Sequence, residues 1–156
     1  MNLSAQIARH LREVYFGGNW TSVNFRDTLA DLTWQQATRS IGPLNTIATL
    51  VFHTHYYVAA VCRVLTGGAL DAKDEYSFNH PPIHDNEAWQ ALLNITWEDA
   101  ERFAHLVGNL SDDKLGETFI EEKYGTYYRN LQGIIEHLHY HLGQIVILKK
   151  LIQQAD

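Results

Sequence analysis

The stretch that decides the fold of this chain is Glu136-His137-Leu138-His139-Tyr140-His141-Leu142-Gly143-Gln144-Ile145. It sits in a longer run, from about Asn130 to Gln153, whose apolar residues recur at helical spacing. At about 100° per residue, Ile134, Leu138, Ile145 and Leu148 fall within roughly 60° of His141, and His137 lies about 40° to the other side. Both histidines therefore sit on or beside the face that enters a core, one turn apart, while His139 points roughly the opposite way. Gln144 follows one turn on, where its amide can hydrogen-bond an imidazole or a bound water. Such a pair can share one metal ion, which leaves a third ligand to be found.

Upstream, the chain reads as more helices. Leu3, Ile7, Leu11 and Val14 give a first amphipathic helix stopping near Gly17-Gly18. Phe25, Leu29 and Leu32 continue an apolar stripe from about Ser22, and Thr33-Trp34-Gln35-Gln36 has the spacing of a capping box opening a short turn. Gly42-Pro43 is a break, after which Asn45 is expected to cap a long apolar helix ending near Gly67-Gly68. Residues 69–86, with Pro81-Pro82, read as a structureless loop, and a loop of that length is more often functional, lying over a site or an interface. Trp89, Leu92, Leu93, Thr96, Ala100, Phe103 and Val107 trace the third long helix, and Ser111-Asp112-Asp113-Lys114 a cap and single turn. The segment from Thr118 to Tyr128 is irregular, with room for a short extended piece. Four long helices with short ancillary turns predict an all-α four-helix bundle, one domain over residues 1–156.

On the second long helix Leu50, Tyr57, Ala60 and Val64 surround His53, so this imidazole also faces inward. His53, His137 and His141 can then converge on one ion. Neutral imidazoles suit zinc or nickel, with iron or manganese as further possibilities, and three of them leave a coordination position open. His55 falls roughly opposite His53, among Val51, Val58 and Cys62; with His139 it is expected at the surface or an interface. His10, His80, His84 and His105 read as solvated or locally bonded. The second helix is apolar on two sides, so its other face needs either more of the same domain or a second subunit, and a homodimer is expected. Cys62 reads as a small buried hydrophobe rather than a nucleophile.

Composition bounds the function. With 156 residues, 46% hydrophobic and 19% charged, the chain is an ordinary globular domain rather than a disordered one. A net charge of -6 without a basic block argues against nucleic acid and anionic membranes as partners. One cysteine excludes a disulfide framework and a Cys-rich zinc site, so the nine histidines and the carboxylates must supply any metal site. The N-terminus lacks the pattern of a signal peptide, which with the lone cysteine suggests the cytoplasm. His53, His55 and Arg63 interrupt the most apolar run, arguing against a membrane span.

The run Leu131-Gln132-Gly133-Ile134-Ile135-Glu136-His137 through Tyr140-His141-Leu142-Gly143-Gln144-Ile145-Val146, preceded by Asn45-Thr46-Ile47-Ala48 leading to His53, resembles the DinB/YfiT-like superfamily of metal-dependent four-helix-bundle proteins. The resemblance covers nearly the whole chain in helix order, including Trp89 and Leu110-Ser111-Asp112-Asp113-Lys114-Leu115. It implies an up-down-down-up bundle with His53, His137 and His141 as metal ligands. Many relatives carry Arg where this chain has Leu142, so a charge used near the site by some members is missing. The implied activity is transfer or isomerisation with a low-molecular-weight thiol as small-molecule substrate; metal-dependent hydrolysis, or a non-catalytic dimeric interaction module, are the alternatives. No general base is legible: Glu136 is expected to point away from the pair, and Glu121 and Glu122 lie in a segment that cannot be placed.

Overall fold

The computed structural model describes residues 2–155. Seven helices occur among them: α1 Leu3–Phe16, α2 Phe25–Leu29, α3 Trp34–Ala37, α4 Ile47–Leu65, α5 Asn86–Gly108, α6 Asp112–Leu115 and α7 Tyr127–Gln154. Two single 3-10 turns, Asp74–Tyr76 and Glu122–Tyr124, interrupt the connections before α5 and α7. No strand is present among the described residues; the extended piece expected near Thr118 is one antiparallel bridge, Thr118 to Thr126.

Every helix opens on a side-chain cap that satisfies an otherwise orphan backbone donor. Thr33 and Gln36 form the expected reciprocal capping box. Three boundaries depart from the sequence reading. α4 is capped by Thr46 rather than Asn45, its side chain accepting from the Thr49 N–H at 3.1 Å. The second helical piece starts at Phe25 rather than Ser22, because Ser22 has φ 57° and Asn24 is the cap. α7 begins at Tyr127, three residues before the expected Asn130, since Thr126 supplies the cap. Asp112 of α6 accepts from the Leu3 and Ser4 N–H groups, at 3.0 Å each, and so ties the start of α1 to the segment that follows α5.

The four long helices pack in adjacent pairs: α1 against α5 and α7, and α4 against α5 and α7. Arg12 pairs with Glu101 while Ala8 lies beside Gly108, so α1 and α5 run antiparallel. His53 meets His141 while Tyr57 meets His137, so α4 and α7 are antiparallel too. The core between them holds Leu11, Val14, Val51, Phe103, Leu138 and Ile145, each at most 1% exposed.

The two-sided apolar character of α4 is resolved within the chain. Val51, Val58 and Cys62 are at most 1% exposed in the single chain, against α5, so the face that motivated a second subunit is already covered. Burial pushes the Cys62 thiol up to about 12, which keeps it the inert buried group expected from its position. No described helix is long and apolar enough to cross a membrane.

Candidate metal centre

Antiparallel packing of α4 on α7 brings His53 from one helix against His137 and His141 of the other. One ligand atom from each of the three lies within 4.8 Å of the others. The ring centroids are 4.9 Å apart for His53 and His137, 4.7 Å for His53 and His141, and 4.5 Å for His137 and His141. His53 and His141 are buried and His137 is half-buried. The trio expected from helical facing is therefore one cluster.

Two hydrogen bonds set the tautomers. The Ser77 hydroxyl donates to the Asp74 carbonyl at 2.7 Å, so its oxygen accepts from His53 Nδ1–H at 2.9 Å. The Gln144 Oε1 can only accept, so His141 Nδ1–H donates to it at 2.8 Å. Both imidazoles thus carry their proton on Nδ1 and leave Nε2 as a bare lone pair, the arrangement that outer hydrogen bonds impose on metal ligands. His53 Nε2 and His137 Nε2 are 3.0 Å apart. Two nitrogens bound to a tetrahedral zinc at ~2.0–2.1 Å stand ~3.3 Å apart, so the pair fits an ion with a shift of a few tenths of an ångström.

Electrostatics favours the neutral, coordinating state. Burial, then the neighbouring His141 and His53, push His137 down to about 4. His53 is pushed down by burial and by His141, against a smaller opposing pull from Asp74. Burial also lowers His141, partly offset by its bond to Gln144. Three imidazoles this close cannot all be charged.

The connection 69–86 supplies the outer wall. Its 3-10 turn places Ser77 on His53 and stacks Phe78 on the same ring, with centroids 4.0 Å apart and planes 17° apart. Tyr57, one turn along α4 from His53, donates to Asp74 Oδ1 at 2.7 Å; burial and this bond push its phenol up, so it stays protonated. A cleft of about 860 Å³ opens from His53 and His137, between Tyr57 and Asp74 on one side and Tyr124 and Tyr128 on the other.

Other expectations divide. His55 is buried, not at a surface or subunit interface: its Nε2 is 2.9 Å from Asp99 Oδ2 of α5, an intrachain partner that the wheel of α4 alone does not reveal. His139 does face away from the trio, half-buried beside His10 of α1 with centroids 5.9 Å apart. His105 bonds locally to Asn109, whereas His80, besides its bond to the adjacent Pro81 carbonyl, lies beside the Phe52 ring of α4 with centroids 6.2 Å apart, so it is not only locally bonded. Leu142 is 2% exposed in the core, so this position turns away from the cleft. Glu136, expected to point away from the pair, is exposed on the cleft wall. Asp74, Ser77 and Phe78 were invisible to sequence reasoning beyond the length of their loop.

Ser77 gives a first prediction. Ser77→Ala removes the acceptor that fixes His53, and metal affinity is expected to fall ~10–100-fold, the usual effect of losing an outer partner. Competition against a chromophoric chelator measures it, with circular dichroism to check the fold. An unchanged affinity would show that the Ser77 bond does not orient His53.

Comparison with protein-family models, with curated proteins and with solved structures finds no match for this chain.

Proposed function

We propose that this chain is a divalent-metal-dependent enzyme of the DinB/YfiT-like kind, an up-down-down-up four-helix bundle that transfers the sulfur of a low-molecular-weight thiol to an electrophile. The observation that carries this reading is the histidine trio, with ligand atoms within 4.8 Å and two Nδ1 protons held by Ser77 and Gln144. All-nitrogen donors with no thiolate suit zinc or nickel and also iron, with manganese, which prefers oxygen ligands, less favoured. A divalent ion with a position open to the cleft lowers the pKa of a thiol and so supplies a nucleophile at neutral pH.

The chain's own residues do the rest. The cleft admits substrate on the side of His53 and His137, and Phe78 covers the His53 ring. Asp74, on the cleft wall, is the carboxylate placed to accept the thiol proton; Tyr57 holds it by donating to Oδ1. The sulfur then forms its bond to the electrophilic carbon as the leaving group departs with its electron pair. The pairing of α1 with α5 and α7, and of α4 with the same two helices, supports the bundle assignment.

The test is loss of free thiol from a panel of small thiols with an alkylating electrophile. Metal-loaded protein is expected to accelerate it at least ~100-fold over the chelated form, roughly 2.7 kcal/mol of barrier. Hydrolysis of an ester or amide without thiol consumption would redirect the site to hydrolase chemistry. Protein that retains no metal would reduce the chain to a non-catalytic bundle.

A further inference from the structure

Along the cleft, α7 presents Arg129, Gly133 and His137, each one turn from the next. Arg129 is set apart from the other arginines. Arg9, Arg12 and Arg102 have carboxylate partners, Arg26 lies over the Phe16 ring, and Arg63 bonds the Asp71 carbonyl. Arg39 is engaged as well. The Arg129 guanidinium has no ion pair, hydrogen bond or ring contact among the described residues, yet it lines the cleft. Beside it, Lys123 is already paired with Glu121 at 3.0 Å, so Arg129 is the uncommitted cation of this wall.

Gly133 matters for what it lacks. Glycine is a poor residue for a helix interior, and here a Cβ would meet nothing within 4 Å, so no packing constraint demands it. Its missing side chain leaves this stretch of the wall open, while the Arg129 side chain runs back over Gly125, its Nη1 3.7 Å from where a Cβ there would stand, so the guanidinium lies toward the end of the cleft away from His137. Arg129 and His137 are eight residues apart, ~12 Å along the helix axis.

The geometry points to an extended anionic substrate lying along α7: a carboxylate on Arg129, a chain crossing Gly133, and a thiol sulfur at the histidine centre. Guanidinium binds carboxylate through two parallel hydrogen bonds, which makes Arg129 the specificity residue of the cleft. This substrate class rests on the thiol reading above, and it would exclude thiols too short to reach both ends at once.

The test uses cobalt-loaded full-length protein and two probes of matched length, 8-mercaptooctanoate and 8-mercapto-1-octanol. Thiolate-to-cobalt charge-transfer absorption reports binding directly, without turnover. The carboxylate probe is expected to bind ~10-fold more tightly than the alcohol, the size of one charge-assisted contact in a solvated cleft. Arg129→Met should abolish that preference, and Gly133→Leu should weaken both probes while cobalt still titrates to one equivalent. Because leucine favours helix over glycine, folding of that variant is protected. Equal affinity for the two probes, a preference that survives Arg129→Met, or unhindered binding to Gly133→Leu would overturn the inference while leaving thiol chemistry at the centre intact. Absence of charge transfer with either probe, with cobalt bound, would instead overturn the thiol reading and this substrate class with it.

Discussion

Replacement of His141 by alanine is expected to lower the affinity for a divalent ion by more than about 100-fold, beyond the range of outer-partner losses. His141 is 7% exposed and its Nδ1 proton is held by Gln144, so its Nε2 is a preorganised ligand rather than a mobile one. Without it, His53 and His137 remain, two neutral imidazoles that compete poorly with water and chelators. The fold should survive, because the side chain lost is a polar one, while its apolar neighbours Leu138 and Ile145 stay buried. His139→Ala is the control: one helical face away and directed at His10, it should leave metal content unchanged. Elemental analysis of protein purified without a histidine tag measures both. About one equivalent in the native chain and the His139 variant, with less than a tenth in the His141 variant, is the result anticipated for a three-ligand site. Similar metal content in all three would remove the centre and every function built on it.

The trio is legible in the sequence because it depends on helical period alone. His53, His137 and His141 are each fixed to a face by apolar neighbours one turn away, and two such faces on long helices must meet in a core. Residues outside that logic escaped. Ser77 and Phe78 touch His53 through a turn whose path follows from Tyr57 holding Asp74, a contact between segments 17 residues apart. His55 was misplaced for a related reason. Its helix is apolar on both sides, so the wheel could not distinguish an outer face from one covered by α5, and Asp99, which satisfies it, lies 44 residues on. The same ambiguity produced the expectation of a second subunit. The helix starts at Thr46 and Thr126 missed by one and three residues, because several neighbouring side chains can cap and the local path chooses among them.

The largest stability effect is expected at Trp89, the side chain that anchors the N-terminal part of α5. It is 0% exposed, and its indole Nε1–H donates to the Leu32 carbonyl at 3.2 Å, across 57 residues of sequence. The ring therefore does two jobs: it fills the core beneath α5 and satisfies a carbonyl in the connection between α2 and α3. Trp89→Ala forfeits both and leaves a cavity, a change that costs ~3–5 kcal/mol in well-packed interiors. Domains of this size hold only ~5–15 kcal/mol in all, so the variant should lose roughly a fifth of its stability or more. At ~2–4 °C per kcal/mol for a chain of this length, Tm is expected to fall by roughly 10 °C. Trp89→Phe separates the two roles, since it keeps most of the ring and drops the donor, and should cost clearly less than the alanine change. Urea unfolding of the three proteins checks the ordering. An alanine variant within about 1 kcal/mol of native would mean that the core collapses around the gap and that α5 is held by its contacts further along, at Phe103 and Val107, rather than at its start.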